Sequence, residues 1–223
     1  MPSYSRAQQP VTHTTMPVTT GSAVLAVKYN GGVLVACDTL ASYGSLARFP
    51  SVERLRSVGD NTLIAASGDF SDFQMLMEFL DEEVREERSL DDGYVRSPSE
   101  YHQLIARILY NKRNRMDPWW LQCIVAGFHN EPFLGLADLR GTHYVDDFLA
   151  TGFGSYLATP LFRKYWTPGM TLEEAKNLLI EAIKVLIGRD GRTHAKWQMG
   201  NVTQRETRVE DPAEIEISWA IAQ

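Results

Sequence analysis

The feature that most limits what this chain can become is a pair of uninterrupted apolar runs, residues 23–29 and 33–37, joined by Asn30-Gly31-Gly32. Asn-Gly between two apolar runs is a strong hairpin signal, because both residues tolerate the positive φ angles of a tight turn. A strand with one wet face alternates apolar and polar residues, and neither run does so. Ala23-Val24-Leu25-Ala26-Val27 and Val33-Leu34-Val35-Ala36-Cys37 are apolar at successive positions, which requires burial on both faces of the sheet. Any fold built on this hairpin must cover it with a layer on each side.

The remaining pattern supplies those layers. A loop rich in Ser, Gly and Ala is expected over 39–48, a short strand over 52–58 and a strong strand over 62–66. A helix follows from about Ser71, with Phe73, Leu76, Met77, Leu80 and Val84 on one face. Its other face carries Asp81, Glu82, Glu83, Arg85, Glu86, Glu87 and Arg88, read as a solvated surface. Ser97-Pro98-Ser99-Glu100 is a capping box with Pro at the first helical position. The helix it opens buries Tyr101, Leu104, Ile105, Ile108 and Leu109 and closes on Lys112, Arg113 and Arg115, where cations suit the helix dipole. Three strands are expected over 121–128, 133–139 and 142–149, then a helix over 155–166. Thr171-Leu172-Glu173-Glu174 caps a further helix ending at Arg189-Asp190-Gly191, and final strands lie at 196–203, 208–209 and 214–222. Strands, helix pair, strands, helix pair, strands is the order of two stacked sheets flanked by helices, a four-layer α/β arrangement.

A chain of 223 residues fits one domain, in which roughly 70–75% of the unfolded surface becomes buried. A formal charge of -6 argues against a general nucleic-acid binder. Cys37 and Cys123 each sit inside an apolar run and read as buried free thiols. The five histidines, His13, His102, His129, His143 and His194, show no metal-ligand spacing, and no cofactor motif is present. No apolar run is long enough to cross a membrane. Residues 1–13 are polar and read as a prosegment or flexible leader, with the folded domain over 14–223.

Thr20-Gly21-Ser22, leading into Leu25-Ala26-Val27-Lys28-Tyr29 and then Gly32-Val33-Leu34-Val35-Ala36-Cys37-Asp38, resembles the β subunits of the 20S proteasome. Ala66-Ser67-Gly68-Asp69, Ala150-Thr151-Gly152-Phe153-Gly154 and Gly188-Arg189-Asp190 follow in that family's order. Two further stretches are similar to the non-catalytic eukaryotic members of the seventh β position: 42–49, from Ser42-Tyr43-Gly44 to Arg48-Phe49, and 112–119, from Lys112-Arg113 to Pro118-Trp119. The resemblance implies the αββα sandwich of N-terminal-nucleophile hydrolases, the same layering that the pattern of runs gives.

It also implies a chemistry, and shows it to be damaged here. Active members attack with the hydroxyl of an N-terminal threonine whose own α-amine is the base, freed by self-cleavage after a glycine. That nucleophile's position is Ser22, and the two aspartate positions are Asp38 and Asp190. The lysine position is Arg54, which cannot trade a proton near neutral pH. An arginine that follows the first aspartate in active members is Leu40 here. The small hydroxyl position in the Ser-Gly turn is Phe153, which has no donor and is expected to fill space; the serine after the second aspartate is Thr193, and Gly68 is a further vestigial position. The family therefore implies vestigial positions and no catalytic residue, with processing at His13-Thr14 and Asp38 and Asp190 pairing with Arg54 or capping backbone. It implies a scaffold subunit, without metal or cofactor, completing a β ring in a particle of twenty-eight α and β subunits met by regulatory particles, in cytoplasm and nucleus. The rival reading is an active N-terminal-serine peptidase made by cleavage at Gly21-Ser22.

Overall fold

The computed structural model describes residues 16–219. Fourteen strands and five helices are arranged among them as two sheets between two helical layers. β1 (Thr19–Gly21) is followed by the hairpin β2 (Val24–Tyr29) and β3 (Gly32–Asp38). The hairpin pairs from Val24 opposite Cys37 to Tyr29 opposite Gly32. Its turn takes a positive φ at Gly31 alone, +102°.

The doubly buried hairpin is realised literally. Val24, Ala26, Val33, Val35 and Cys37 face the second sheet, where they meet Leu55, Leu63, Ala65, Ile124, Leu134 and Leu136. The residues between them, Leu25, Val27, Leu34 and Ala36, face outward onto α5 (Leu172–Arg189) through Leu178, Leu179, Ala182, Ile183 and Leu186. Alternation along a strand is intact, but both faces are apolar because both are covered.

The six-stranded sheet runs β11-β2-β3-β12-β13, with β11 (Phe148–Ala150), β12 (Lys196–Thr203) and β13 (Thr207–Val209); β14 (Ala213–Glu214) also pairs β12. The eight-stranded sheet runs β10-β9-β8-β7-β1-β4-β5, with β6 on β7. Its members are β4 (Ala41–Tyr43), β5 (Leu46–Phe49), β6 (Leu55–Val58), β7 (Thr62–Asp69), β8 (Leu121–His129), β9 (Glu131–Asp138) and β10 (His143–Val145). Its outer face is covered by α1 (Phe70–Leu90) and α2 (Pro98–Asn114), which bury Phe73, Leu76, Leu80, Tyr101, Ile105 and Leu109 against Ile64, Cys123 and Val125. The capping boxes at Ser97/Glu100 and Thr171/Glu174 both form.

Four local expectations change. Residues 39–48 are no simple loop: β4 and β5 form a hairpin across Gly44 (φ +62°), held because β4 pairs with β1. Small residues gave no strand signal there; the neighbour's backbone supplies the order. The run 142–149 is two strands in different sheets, β10 on β9 and β11 on β2, separated at Asp146-Asp147. The chain crosses layers there, with the Asp146 N–H on the Leu134 carbonyl and the Lys28 N–H on that of Asp147. The helix over 155–166 is two short ones, α3 (Gly154–Leu157) and α4 (Thr159–Tyr165), because Pro160 has no N–H to continue the first ladder. The strand over 52–58 begins only at Leu55, and that over 214–222 ends at Glu214 among the described residues.

Candidate functional site

Ser22 lies in the two-residue link between β1 and β2, where the chain passes from one sheet to the other. β1 is paired on both sides: Thr20 and Gly21 lie opposite Asp69 and Gly68 of β7, and opposite Ser42 and Ala41 of β4. Asp69 fixes both neighbours. Its Oδ2 accepts the Val18 N–H at 2.8 Å, while Oδ1 accepts the Ser71 N–H at 2.9 Å as the N-cap of α1. The segment before Ser22 is thus a strand of the sheet and not a loose cover.

Arg54, just before β6, enters this junction from below and is only 1% exposed. One terminal nitrogen, Nη1, donates to the carbonyls of Ser22 (3.2 Å) and Ala66 (3.0 Å). The other, Nη2, donates to the Asp38 carbonyl at 2.9 Å and forms an ion pair with the Asp38 carboxylate, itself 0% exposed. Gly21 is glycine because of this side chain: a Cβ there would stand 2.6 Å from both Nε and Nη1 of Arg54. One guanidinium fork therefore ties the β1–β2 link, the end of β3 and the end of β7 together. Burial lowers the pKa of Arg54 from its usual value, yet a guanidinium stays protonated in proteins. Burial pushes the Cys37 thiol up, with the Arg54 charge opposing it in part.

On the other side, the Ser22 hydroxyl donates to Asp190 Oδ2, across 168 positions of sequence. Asp190 terminates α5, and its Oδ1 accepts the Arg192 N–H at 2.9 Å. Asp38 therefore pairs with Arg54, while Asp190 caps local backbone and holds Ser22. Thr193 is nearby in sequence, but its buried hydroxyl has no partner among the described residues. Gly68, at φ +103°, is also required, since a Cβ would collide with the Trp120 carbonyl.

A cleft of about 260 Å³ opens in front of Ser22, lined by Thr20, Gly21, Gly68, Trp120, Phe153 and Arg192 among others. Phe153 is among the residues that line it and is 59% exposed. The position precedes α3, and its side chain is directed by the turn Thr151-Gly152, which is itself held: Thr151 Oγ1 accepts the Val24 N–H at 2.9 Å, and Gln122 Oε1 accepts the Gly152 N–H at 3.0 Å.

The structure thus gathers Ser22, Asp38, Arg54, Gly68 and Asp190 at one junction, with Phe153 at its mouth. His13 and Thr14 lie outside the described residues. Three contributors had not been singled out: Asp69, Gln122 and the Ala66 carbonyl. Asp69 alone left a signal, as an aspartate immediately before a helix. Chemically, the cleft holds a serine hydroxyl whose nitrogen is an amide in the intact chain, and among the described residues its lining includes no lysine. The buried cation beside it cannot act as an acid or base near neutral pH.

A profile described as "Proteasome subunit" matches residues 18–202. The chain is 43% identical over 216 residues to "Proteasome subunit beta type-4" of Xenopus laevis, covering 96% of this chain and 89% of that protein. It is 41% identical over 222 residues to "Probable proteasome subunit beta type-7" of Schizosaccharomyces pombe, covering 96% and 84%. With "Proteasome subunit beta type-7" of Saccharomyces cerevisiae the identity is 37% over 201 residues, covering 85% and 76%. The match spans both sheets and the junction at Ser22, and the chain belongs to the proteasome subunit family.

Proposed function

We infer that this chain is a non-catalytic, structural β subunit of the 20S proteasome core particle, and that it acts by assembling with other proteasome subunits. The observation that carries this is Arg54: the position that holds a titratable lysine in active members is a buried guanidinium locked to Asp38 and three carbonyls. A second observation supports it. A peptide entering as an antiparallel strand beside Ser22 would need the edges of β7 and β4, and β1 already pairs with both.

In finer terms, the subunit completes a seven-membered β ring in a particle of two such rings between α rings. It contacts neighbours in its own and the opposite ring and supports adjacent threonine-protease subunits in ubiquitin-dependent degradation, in cytoplasm and nucleus. We propose that residues 1–13 are a prosegment removed at His13-Thr14, leaving 14–223 as the mature domain. The paired state of β1 favours a cut there over one at Gly21-Ser22, which would take a hydrogen-bonded strand out of the sheet. The Ser22–Asp190 hydrogen bond is the one feature favouring the rival N-terminal-serine peptidase, since a carboxylate could accept a proton from the hydroxyl.

Replacing Ser22 by Ala separates the two. Particles carrying Ser22→Ala are expected to hydrolyse every class of peptide substrate at the wild-type rate. Loss of one hydrolytic activity with assembly intact would overturn the scaffold reading.

A further inference from the structure

The turn that ends α2 carries a residue its own fold does not want there. Met116 adopts φ +56°, the left-handed region. The other non-glycine residues with positive φ among those described are Asp91 and Asn130, types that tolerate the region because their short polar side chains bond locally. Methionine gains nothing of the kind. Met116 occupies the position after the helix cap where glycine is preferred, with its N–H on the Arg113 carbonyl (3.0 Å) and the Asp117 N–H on that of Lys112 (3.1 Å). Its side chain is not tucked under the helix either, being 79% exposed.

The turn around it is tied to its surroundings by several contacts. Lys112 Nζ pairs with Asp117 at 3.5 Å and sits 4.7 Å from the Trp119 ring centroid. The Trp120 N–H bonds to Asp72 on α1 at 2.8 Å, and the Trp120 carbonyl takes the Asp69 N–H. Arg113 and Arg115, both exposed, precede the methionine at the C-terminal end of the helix. An exposed apolar side chain on a turn with left-handed backbone, just after two exposed cations, is the form of a knob presented to a partner. Holding it in place beforehand lowers the ordering cost of association.

We propose that Met116 inserts into an apolar socket, edged by carboxylates, on an adjoining proteasome subunit. The charge of Arg113 and Arg115 selects the acidic rim, and the methyl thioether fills the floor. This rests on the reading that the chain assembles with other proteasome subunits. Nucleic acid, the other class that arginines could meet, is disfavoured by the chain's formal charge of -6.

The test is competition between full-length Met116→Gly and wild-type chains for incorporation into particles, alongside thermal unfolding of each chain. Glycine relieves the left-handed strain, so the variant should unfold at the wild-type temperature or above. Its recovery in particles should nevertheless fall about tenfold, as truncation of an interface anchor does. Equal recovery overturns the knob while leaving the scaffold reading standing. Lower recovery together with lower stability assigns Met116 to its own fold and also overturns it. Absence of wild-type chain from particles defeats the scaffold reading itself. In Arg115→Glu, recovery should likewise fall; unchanged recovery removes the acidic rim.

Discussion

Replacing Arg54 by Met is the perturbation that reads the vestigial site most directly. It removes an ion pair whose two members are 1% and 0% exposed. A buried carboxylate left without its partner costs about 3–5 kcal/mol. The fork also serves the carbonyls of Ser22, Ala66 and Asp38, and each lost hydrogen bond adds about 1 kcal/mol. The total, about 6–8 kcal/mol, is comparable to the whole stability of a domain, about 5–15 kcal/mol. Adding Asp38→Asn to the same chain removes the stranded charge, so the double variant should be more stable than Arg54→Met alone by about 2 kcal/mol or more. Urea unfolding of the full-length chain measures this, with m unchanged across the set. The reasoning fails if the second substitution makes the first worse, or if Arg54→Met alone costs under about 1 kcal/mol.

Two further outcomes follow from the same geometry. Gly21→Ala should destabilise by about 1–3 kcal/mol or more by overpacking, because the added methyl meets Arg54, which has nowhere to move; an unchanged urea midpoint would show that the guanidinium is not fixed. His102 on α2 bonds the Leu136 carbonyl at 2.8 Å beside His143, and burial lowers its pKa from 6.5. The unfolded chain therefore takes up a proton first, so stability present above pH 6.5 is lost as pH falls below it. His102→Gln should flatten that slope in pH-dependent unfolding.

Much of the fold was legible because its main signals are local. The two-faced hairpin reads from consecutive apolar residues, and the ends of α2 and α5 read from Ser97/Glu100 and Thr171/Glu174. What escaped depends on neighbours far away in the chain. β4 is ordered by pairing with β1, and nothing in Ala41-Ser42-Tyr43 announces that. The division of 142–149 follows from which sheet each half joins, and only Asp146-Asp147 hints at the crossing. The site behaves likewise. Ser22 meets Asp190 across 168 positions and Arg54 across 32, separations at which periodicity is silent and only resemblance to a family brought the residues together.

The central claim is that Ser22 never becomes an N-terminus. Intact mass and N-terminal sequencing of this subunit from assembled particles, after exposure to an electrophile that labels N-terminal nucleophiles, test it most directly. The expected chain begins upstream of Ser22, near Thr14, and carries no label. A chain that begins at Ser22 and is labelled there would contradict the account.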